Sequence, residues 1–85
     1  MSPELETLDR LQGDDLPLTA VRRLYPDADR FARGVSALLA AGEVRLMAAD
    51  GSTVPGWQWR LALADPGARP GVRVALPPAG ARRIG

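Results

Sequence analysis

The feature that most constrains the fold of this chain is a change in the spacing of its apolar residues at Gly42. Before that glycine, apolar residues recur every three or four positions, which is typical of helices that bury one side. From Glu43 onward they alternate with polar residues, as in strands that bury one face. The sequence therefore predicts an α+β fold, with helices in the first half and a small sheet in the second.

Two short helices are predicted at the start of the chain. Ser2 is suited to cap a helix over residues 2–12, with Pro3 in its first turn. A second helix is predicted to begin with Asp15 as its cap. It should stop before Pro26, because the residue preceding a proline avoids helical geometry.

A third helix is predicted over residues 28–41. Asp27 or Asp29 is suited to cap it, and Gly42 to end it. At 100° per residue, four apolar residues fall within a narrow arc and are predicted to face the core: Phe31, Val35, Leu38 and Leu39.

Two strands of a hairpin are predicted next, over residues 44–48 and 57–63. An Asp-Gly pair at 50–51 is a strong turn signal between them. A tight turn there lets strand pairing continue through Thr53, whereas the Pro-Gly pair at 55–56 favours an irregular loop. We prefer the loop.

The C-terminal end gives weaker patterns. Residues 72–76 alternate again and form either a short third strand at the edge of the hairpin or no regular structure. Residues 79–85 resemble a mobile tail. We therefore divide the chain into a principal domain over residues 1–67 and a segment over 68–85 that holds the edge strand and the Arg-containing tail.

Composition narrows the chemistry that such a fold can carry. The chain has 85 residues with no Cys and no His, and all 11 basic residues are Arg. Zinc fingers, Ser-His or Cys-His catalytic pairs and disulfide frameworks are therefore excluded. The carboxylate clusters Asp14-Asp15 and Asp27/Asp29 lie where helix caps are expected. We expect a protein that is not an enzyme and that binds no metal or cofactor.

The small net charge of +1 conceals an asymmetry. Residues 1–29 carry seven acids and three arginines, whereas residues 30–85 carry three acids and eight arginines. One face of such a chain can meet a polyanion although the whole is nearly neutral. No apolar run is long enough to span a membrane and no signal peptide is evident, so we expect a cytoplasmic protein without a membrane partner.

The order of these elements resembles a winged helix-turn-helix domain. The stretch that carries the resemblance runs from Leu24-Tyr25-Pro26 through the third helix to Leu38-Leu39-Ala40-Ala41-Gly42-Glu43-Val44, which is similar to the family's "Leu-x-x-Ala-Gly-x-Val" junction. The resemblance covers residues 2–64. It implies three helices and a C-terminal β-hairpin wing.

The resemblance implies a small bacterial protein that binds double-stranded DNA, as a transcriptional regulator or a replication- or phage-type accessory factor. The third helix would lie in the major groove and the wing beside it. The nucleic-acid-binding residues would be Arg30, Arg33, Ser36 and Ala37 of the third helix, Thr19 and Arg23 of the second, and Arg45, Ser52, Thr53 and Arg60 of the hairpin, with Arg82 and Arg83 of the tail adding nonspecific contacts.

Several residues depart from that pattern, and the nearly neutral net charge together with the Ala-rich face of the third helix favours a second hypothesis. Tyr25 stands where the family often has a small residue, and the exposed face of the third helix is rich in Ala. Asp27 and Asp29 would repel phosphate unless they act as caps. The alternative is a winged-helix module that binds a partner protein and no DNA, and in a third interpretation the arginines only solubilise a helix face. The oligomeric state is left open.

Trp57 and Trp59 would lie on one face of the second predicted strand. A functional interpretation is a stacking platform for bases. The preferred interpretation is that both rings close over the core formed by the third helix, with one indole N–H at the edge of the hairpin in need of a partner.

Overall fold

The computed structural model describes residues 2–69 and 71–77 of the chain. These residues form a mixed α+β fold with four α-helices and a three-stranded antiparallel sheet, as the α+β prediction requires. In chain order the elements are α1 (Pro3–Leu11), β1 (Leu16–Pro17), α2 (Leu18–Arg23), α3 (Ala28–Ala40), β2 (Arg45–Met47), α4 (Trp59–Ala64) and β3 (Arg73–Ala75). Single 3₁₀ turns at Gly56–Gln58 and Pro66–Ala68 flank α4.

The ends of α1 and α3 follow the predicted signals. The Ser2 hydroxyl accepts a hydrogen bond from the Leu5 N–H at 3.2 Å, and Asp27 Oδ1 accepts one from the Arg30 N–H at 2.7 Å. Gly42 follows α3 with a φ of 75°, a conformation that glycine adopts without steric cost. Both helices and their caps are therefore confirmed, and the first of the two candidate aspartates is the cap of α3.

The start of α2 differs from the prediction. The helix begins at Leu18, and Pro17 precedes it without a side-chain cap. Asp15, the predicted cap, instead donates its N–H to Asp14 Oδ1 at 2.8 Å. The predicted cap is wrong because residues 16–17 are extended and form β1, which leaves the helix to start after them.

The sheet has the order β1-β3-β2, with both pairs antiparallel. Val74 of β3 lies opposite Leu16 of β1 and opposite Leu46 of β2. A third strand is therefore present, but its predicted place at the edge is wrong, because it is the central strand. β1 was not predicted. It is a two-residue strand, and its Pro17 cannot donate to a ladder and is therefore confined to an edge.

The chain leaves β2 through a tight Asp-Gly turn. Gly51 has a φ of 89°, Met47 pairs with Thr53 across the turn, and the Val54 N–H donates to the Leu46 carbonyl at 2.8 Å. Pairing thus continues through the turn, and the preferred prediction of an irregular loop is wrong up to this point.

The predicted second strand of the wing, over residues 57–63, is also wrong, because this segment forms a 3₁₀ turn followed by α4. Its apolar residues alternate, but Trp59, Ala62 and Leu63 also have the i, i+3, i+4 spacing of a helix, and these three pack inward. Residues 60–64 are all strong helix formers. Of the predicted hairpin, only the short pairing of residues 46–47 with residues 53–54 is therefore present.

A single hydrophobic core joins the helices to the sheet. The four core positions predicted on α3 are all buried, with Phe31 fully enclosed. Tyr25, in the turn between α2 and α3, packs inward and meets Phe31 edge-on, with ring centroids 5.7 Å apart. The unusual tyrosine therefore extends the core.

Some predictions concern residues that the structure does not describe. The tail over residues 79–85, with Arg82 and Arg83, lies outside the described residues. Within residues 2–69 and 71–77, no helix has the length and apolar character needed to cross a membrane.

Candidate functional site

A groove of about 890 Å³ lies between α3 and α4. Small side chains form much of its α3 wall, because Ala32, Ser36 and Ala37 face it together with Arg33. The opposite wall consists of α4 and the 3₁₀ turn before it, chiefly Trp57, Trp59, Arg60 and Leu61. We call this feature the α3–α4 groove.

Two large apolar side chains of this groove are exposed. Trp57 is 76% exposed and Leu61 is 59% exposed. They are one helical turn apart, on the side of the segment opposite to the residues that enter the core. Trp59 is held in place instead, because its indole Nε1–H donates to the Val54 carbonyl at 3.3 Å. The interpretation of both tryptophans as core is therefore wrong for Trp57, whereas Trp59 packs against the core with its N–H satisfied.

The charges that line the groove are positive. Arg33 and Arg60 contribute the charged side chains of the lining, and no acid lies among the lining residues. Arg33 forms an ion pair with Asp29 at 3.0 Å, but both side chains are more than two-thirds exposed, and such pairs contribute about 0–1 kcal/mol. Within the described residues Arg60 has no ion-pair partner.

The other side of α3 is closed by α1. Arg30 Nη2 and Glu4 Oε1 are 2.6 Å apart, with both side chains at least half buried, and the Arg30 guanidinium lies 5.6 Å from the centre of the Tyr25 ring. Gly34 makes this approach possible, since a Cβ there would collide with Glu4 and would lie 2.7 Å from the Tyr25 ring. Arg30 is thus a component of the α1–α3 contact.

This contact shifts the ionisation of its members. The hydrogen bond from Arg30 lowers the pKa of Glu4, and the same bond raises the pKa of Arg30. Burial, followed by the charge of Glu4, raises the pKa of the Tyr25 hydroxyl to about 12. The carboxylate and guanidinium therefore stay charged and the phenol stays neutral near pH 7.

The structure divides the residues predicted to bind nucleic acid into separate groups. The α3–α4 groove brings together four of them: Arg33, Ser36, Ala37 and Arg60. Thr19 and Arg23 are exposed on α2.

The remaining predicted residues lie elsewhere. Ser52 and Thr53 are exposed in the Asp-Gly turn, where the Ser52 hydroxyl donates to Asp50 Oδ1 at 2.7 Å and helps to lower the pKa of Asp50. Arg30 is engaged by Glu4. Arg45 is half-buried on β2 and does not line the groove.

The sequence analysis missed the exposed apolar pair, Trp57 and Leu61. A strand over residues 57–63 places Trp57 and Leu61 on one face with Trp59, and that face is predicted to turn toward the core. Their i, i+4 spacing was the available signal, since on a helix it puts them on one side, away from Ala62 and Leu63.

In each of the two carboxylate clusters, Asp14-Asp15 and Asp27/Asp29, one aspartate accepts a hydrogen bond from a backbone N–H. Asp27 caps α3 and Asp14 accepts the N–H of its neighbour. Among the described residues, no three Asp or Glu side chains are grouped so that they could hold a metal ion.

Comparison of the chain with protein-family models, with curated protein sequences and with solved structures gives no match.

Proposed function

We propose that the chain is a winged-helix-like protein-interaction module, which binds the apolar side of a partner helix in the α3–α4 groove. The observation that carries the proposal is the exposure of Trp57 and Leu61 beside the small side chains of α3. Adjacent large apolar side chains on a surface mark interaction sites, and tryptophan is enriched among the residues that dominate binding energy. A helix laid into an apolar groove is a common mode of peptide recognition.

The winged-helix part of the proposal is supported by the order of the elements. Three helices precede β2 and the Asp-Gly turn, and the sheet packs on their core. α4 takes the place in which the resemblance implies the second strand of the wing. Because a helix stands beside α3 in place of the wing, the exposed face of α3 forms one wall of a groove. A groove between two helices fits a peptide better than it fits the wide surface of a DNA duplex.

A second candidate function is binding to double-stranded DNA. The observation in its favour is that Arg33, Ser36, Ala37 and Arg60 are brought together on one surface. In that case affinity should fall steeply with salt, with a slope of about −0.9 per phosphate contacted, and Arg23→Glu on α2 should weaken it.

Selection from a displayed library of helical peptides about four turns long tests the principal proposal. The protein should enrich a set of peptides, and the Trp57→Ser/Leu61→Ser double variant should not. Because both side chains are exposed, the variant should retain the cooperative thermal unfolding of the parent, which is measured in parallel by circular dichroism.

Equal enrichment by the parent and the folded double variant would contradict the proposal. Failure to enrich any peptide, together with salt-sensitive binding of a mixed-sequence duplex at about 50 mM salt, would establish the second candidate instead.

A further inference from the structure

We infer that the partner helix of the α3–α4 groove is acidic, with carboxylates flanking an apolar stripe. This inference rests on the proposed function and specifies the chemistry of the occupant. It starts from the lining of the groove, in which two arginines and no acids surround the apolar side chains.

The two cations stand on different walls. Arg33 belongs to α3 and Arg60 to α4, so a helix between the walls meets a guanidinium on each side. Its apolar residues, at i and i+3 or i+4, contact Trp57 and Leu61, and its carboxylates lie at the borders of that stripe. Arg offers a planar fork of donors that matches a carboxylate.

Neither arginine is committed to a strong internal partner. The exposed pair of Arg33 with Asp29 is weak enough to be exchanged for a carboxylate of the partner, and Arg60 has no ion-pair partner within the described residues. Arg30 is different, because it is half-buried against Glu4 and Tyr25. Of the two α3 arginines predicted to read DNA, Arg33 rather than Arg30 is therefore available to a ligand, together with Arg60 of α4.

The small residues of α3 favour a helix as the occupant. Ala32, Ser36 and Ala37 let a backbone approach α3 closely, and helices pack at about 8–10 Å when the contacting side chains permit it. An added strand would need a free sheet edge. The outer edge of β2 is already partly occupied, because Met47 pairs with Thr53. The other edge strand, β1, is two residues long and contains a proline.

A second copy of this chain offers an acidic helix of its own in α1, whose Leu5 is 57% exposed. Two of its acids are already engaged, Glu4 by Arg30 and Glu6 by Arg10. A partner whose carboxylates are unengaged fits the groove better than α1 does.

The charge of the selected peptides tests the inference separately from the groove itself. The library contains acidic and basic residues at equal frequency, so the proposal predicts an enriched set that is rich in Asp and Glu. For the strongest peptide, replacing its acids by Gln or Asn should weaken binding about 5- to 20-fold in a titration followed by the fluorescence of Trp57 and Trp59, a loss that two exposed charge pairs together can supply.

Arg60→Glu should reduce the affinity for the same peptide by at least about 5-fold. The matched control Arg73→Glu, at an exposed position of β3, should leave the affinity within about twofold of the parent value. Enrichment that depends on Trp57 and Leu61 but shows no acidic preference would overturn the inference and leave the groove function standing. Absence of such enrichment would overturn both.

Sedimentation velocity decides between a partner and a second copy. The inference predicts that the protein alone stays monomeric at the concentrations used in the titration. Concentration-dependent association that is abolished by Leu5→Ser and by Arg60→Glu would assign the groove to α1 of another copy and overturn the inference.

Discussion

The two sides of α3 differ in whether their charged side chains are paired and whether their apolar side chains are buried. Toward α1, Arg30 is paired with Glu4 over the bare backbone at Gly34, and the contact is closed. Toward α4, Arg60 has no ion-pair partner in the described residues, and Trp57 and Leu61 remain exposed. The first side stabilises the fold, while the second retains surface that only a ligand would cover. An arginine on the presumed recognition helix is therefore not always available for recognition, as Arg30 shows.

Truncation of a leucine in the core and of a leucine in the groove should have unequal effects on the free energy of unfolding. Leu38→Ala, in the core face of α3, should reduce the free energy of unfolding by about 2–5 kcal/mol, which is a large part of the stability of a small domain. Leu61→Ala, at the α3–α4 groove, should change it by less than about 0.5 kcal/mol. Urea unfolding of both variants measures the difference, and similar losses would mean that Leu61 is part of the core.

Gly34→Ala should destabilise the protein by about 1–3 kcal/mol, because the new Cβ overpacks the α1–α3 contact. The direction is unusual, since the same change at an open helical site adds about 1 kcal/mol of stability. Gly13→Ala, just after the end of α1, is the control at an uncrowded position, because a Cβ there meets only the Arg10 carbonyl at an ordinary 3.7 Å. Thermal unfolding that ranks Gly34→Ala at or above the parent would show that the contact is looser than described.

Glu4→Gln should cost about 1–2 kcal/mol at neutral pH, a value between those of exposed and buried pairs. The folded-state pKa of Glu4 lies below its ordinary value of 4.5, so its contribution is complete above that pH and is lost as the pH falls through the folded-state pKa. The stability difference between parent and variant should therefore shrink in acid. A difference that stays constant as the pH falls from 7 through the acid range in which Glu4 becomes protonated would exclude a role for this ionisation.

The part of the fold that could be predicted is the part encoded by neighbouring residues. Ser2, Asp27 and Gly42 place the ends of α1 and α3 because caps act within a few residues. The place of β3 at the centre of the sheet depends on pairing with β1, far away in sequence, and a two-residue strand leaves almost no pattern.

The prediction of a strand over residues 57–63 was wrong for a different reason. Its apolar residues fit a strand and a helix equally well by spacing, and alternation was preferred over the helix propensity of residues 60–64. A strand over these residues turns Trp57 and Leu61 toward the core, so the α3–α4 groove was not predicted. Similarly, the sequence placed Arg30 on the open face of α3, since nothing local indicates that Glu4 covers it.

The most direct test of the account is the map of backbone amide shift changes when the selected acidic peptide is titrated into isotopically labelled protein. We predict that the changes concentrate on residues 56–64 and on Ala32, Arg33, Ser36 and Ala37, with the Glu4 and Thr7 amides of α1 unaffected. A map centred on the α1 side of α3, or on Thr19, Arg23 and the Asp-Gly turn with the groove unaffected, would contradict it.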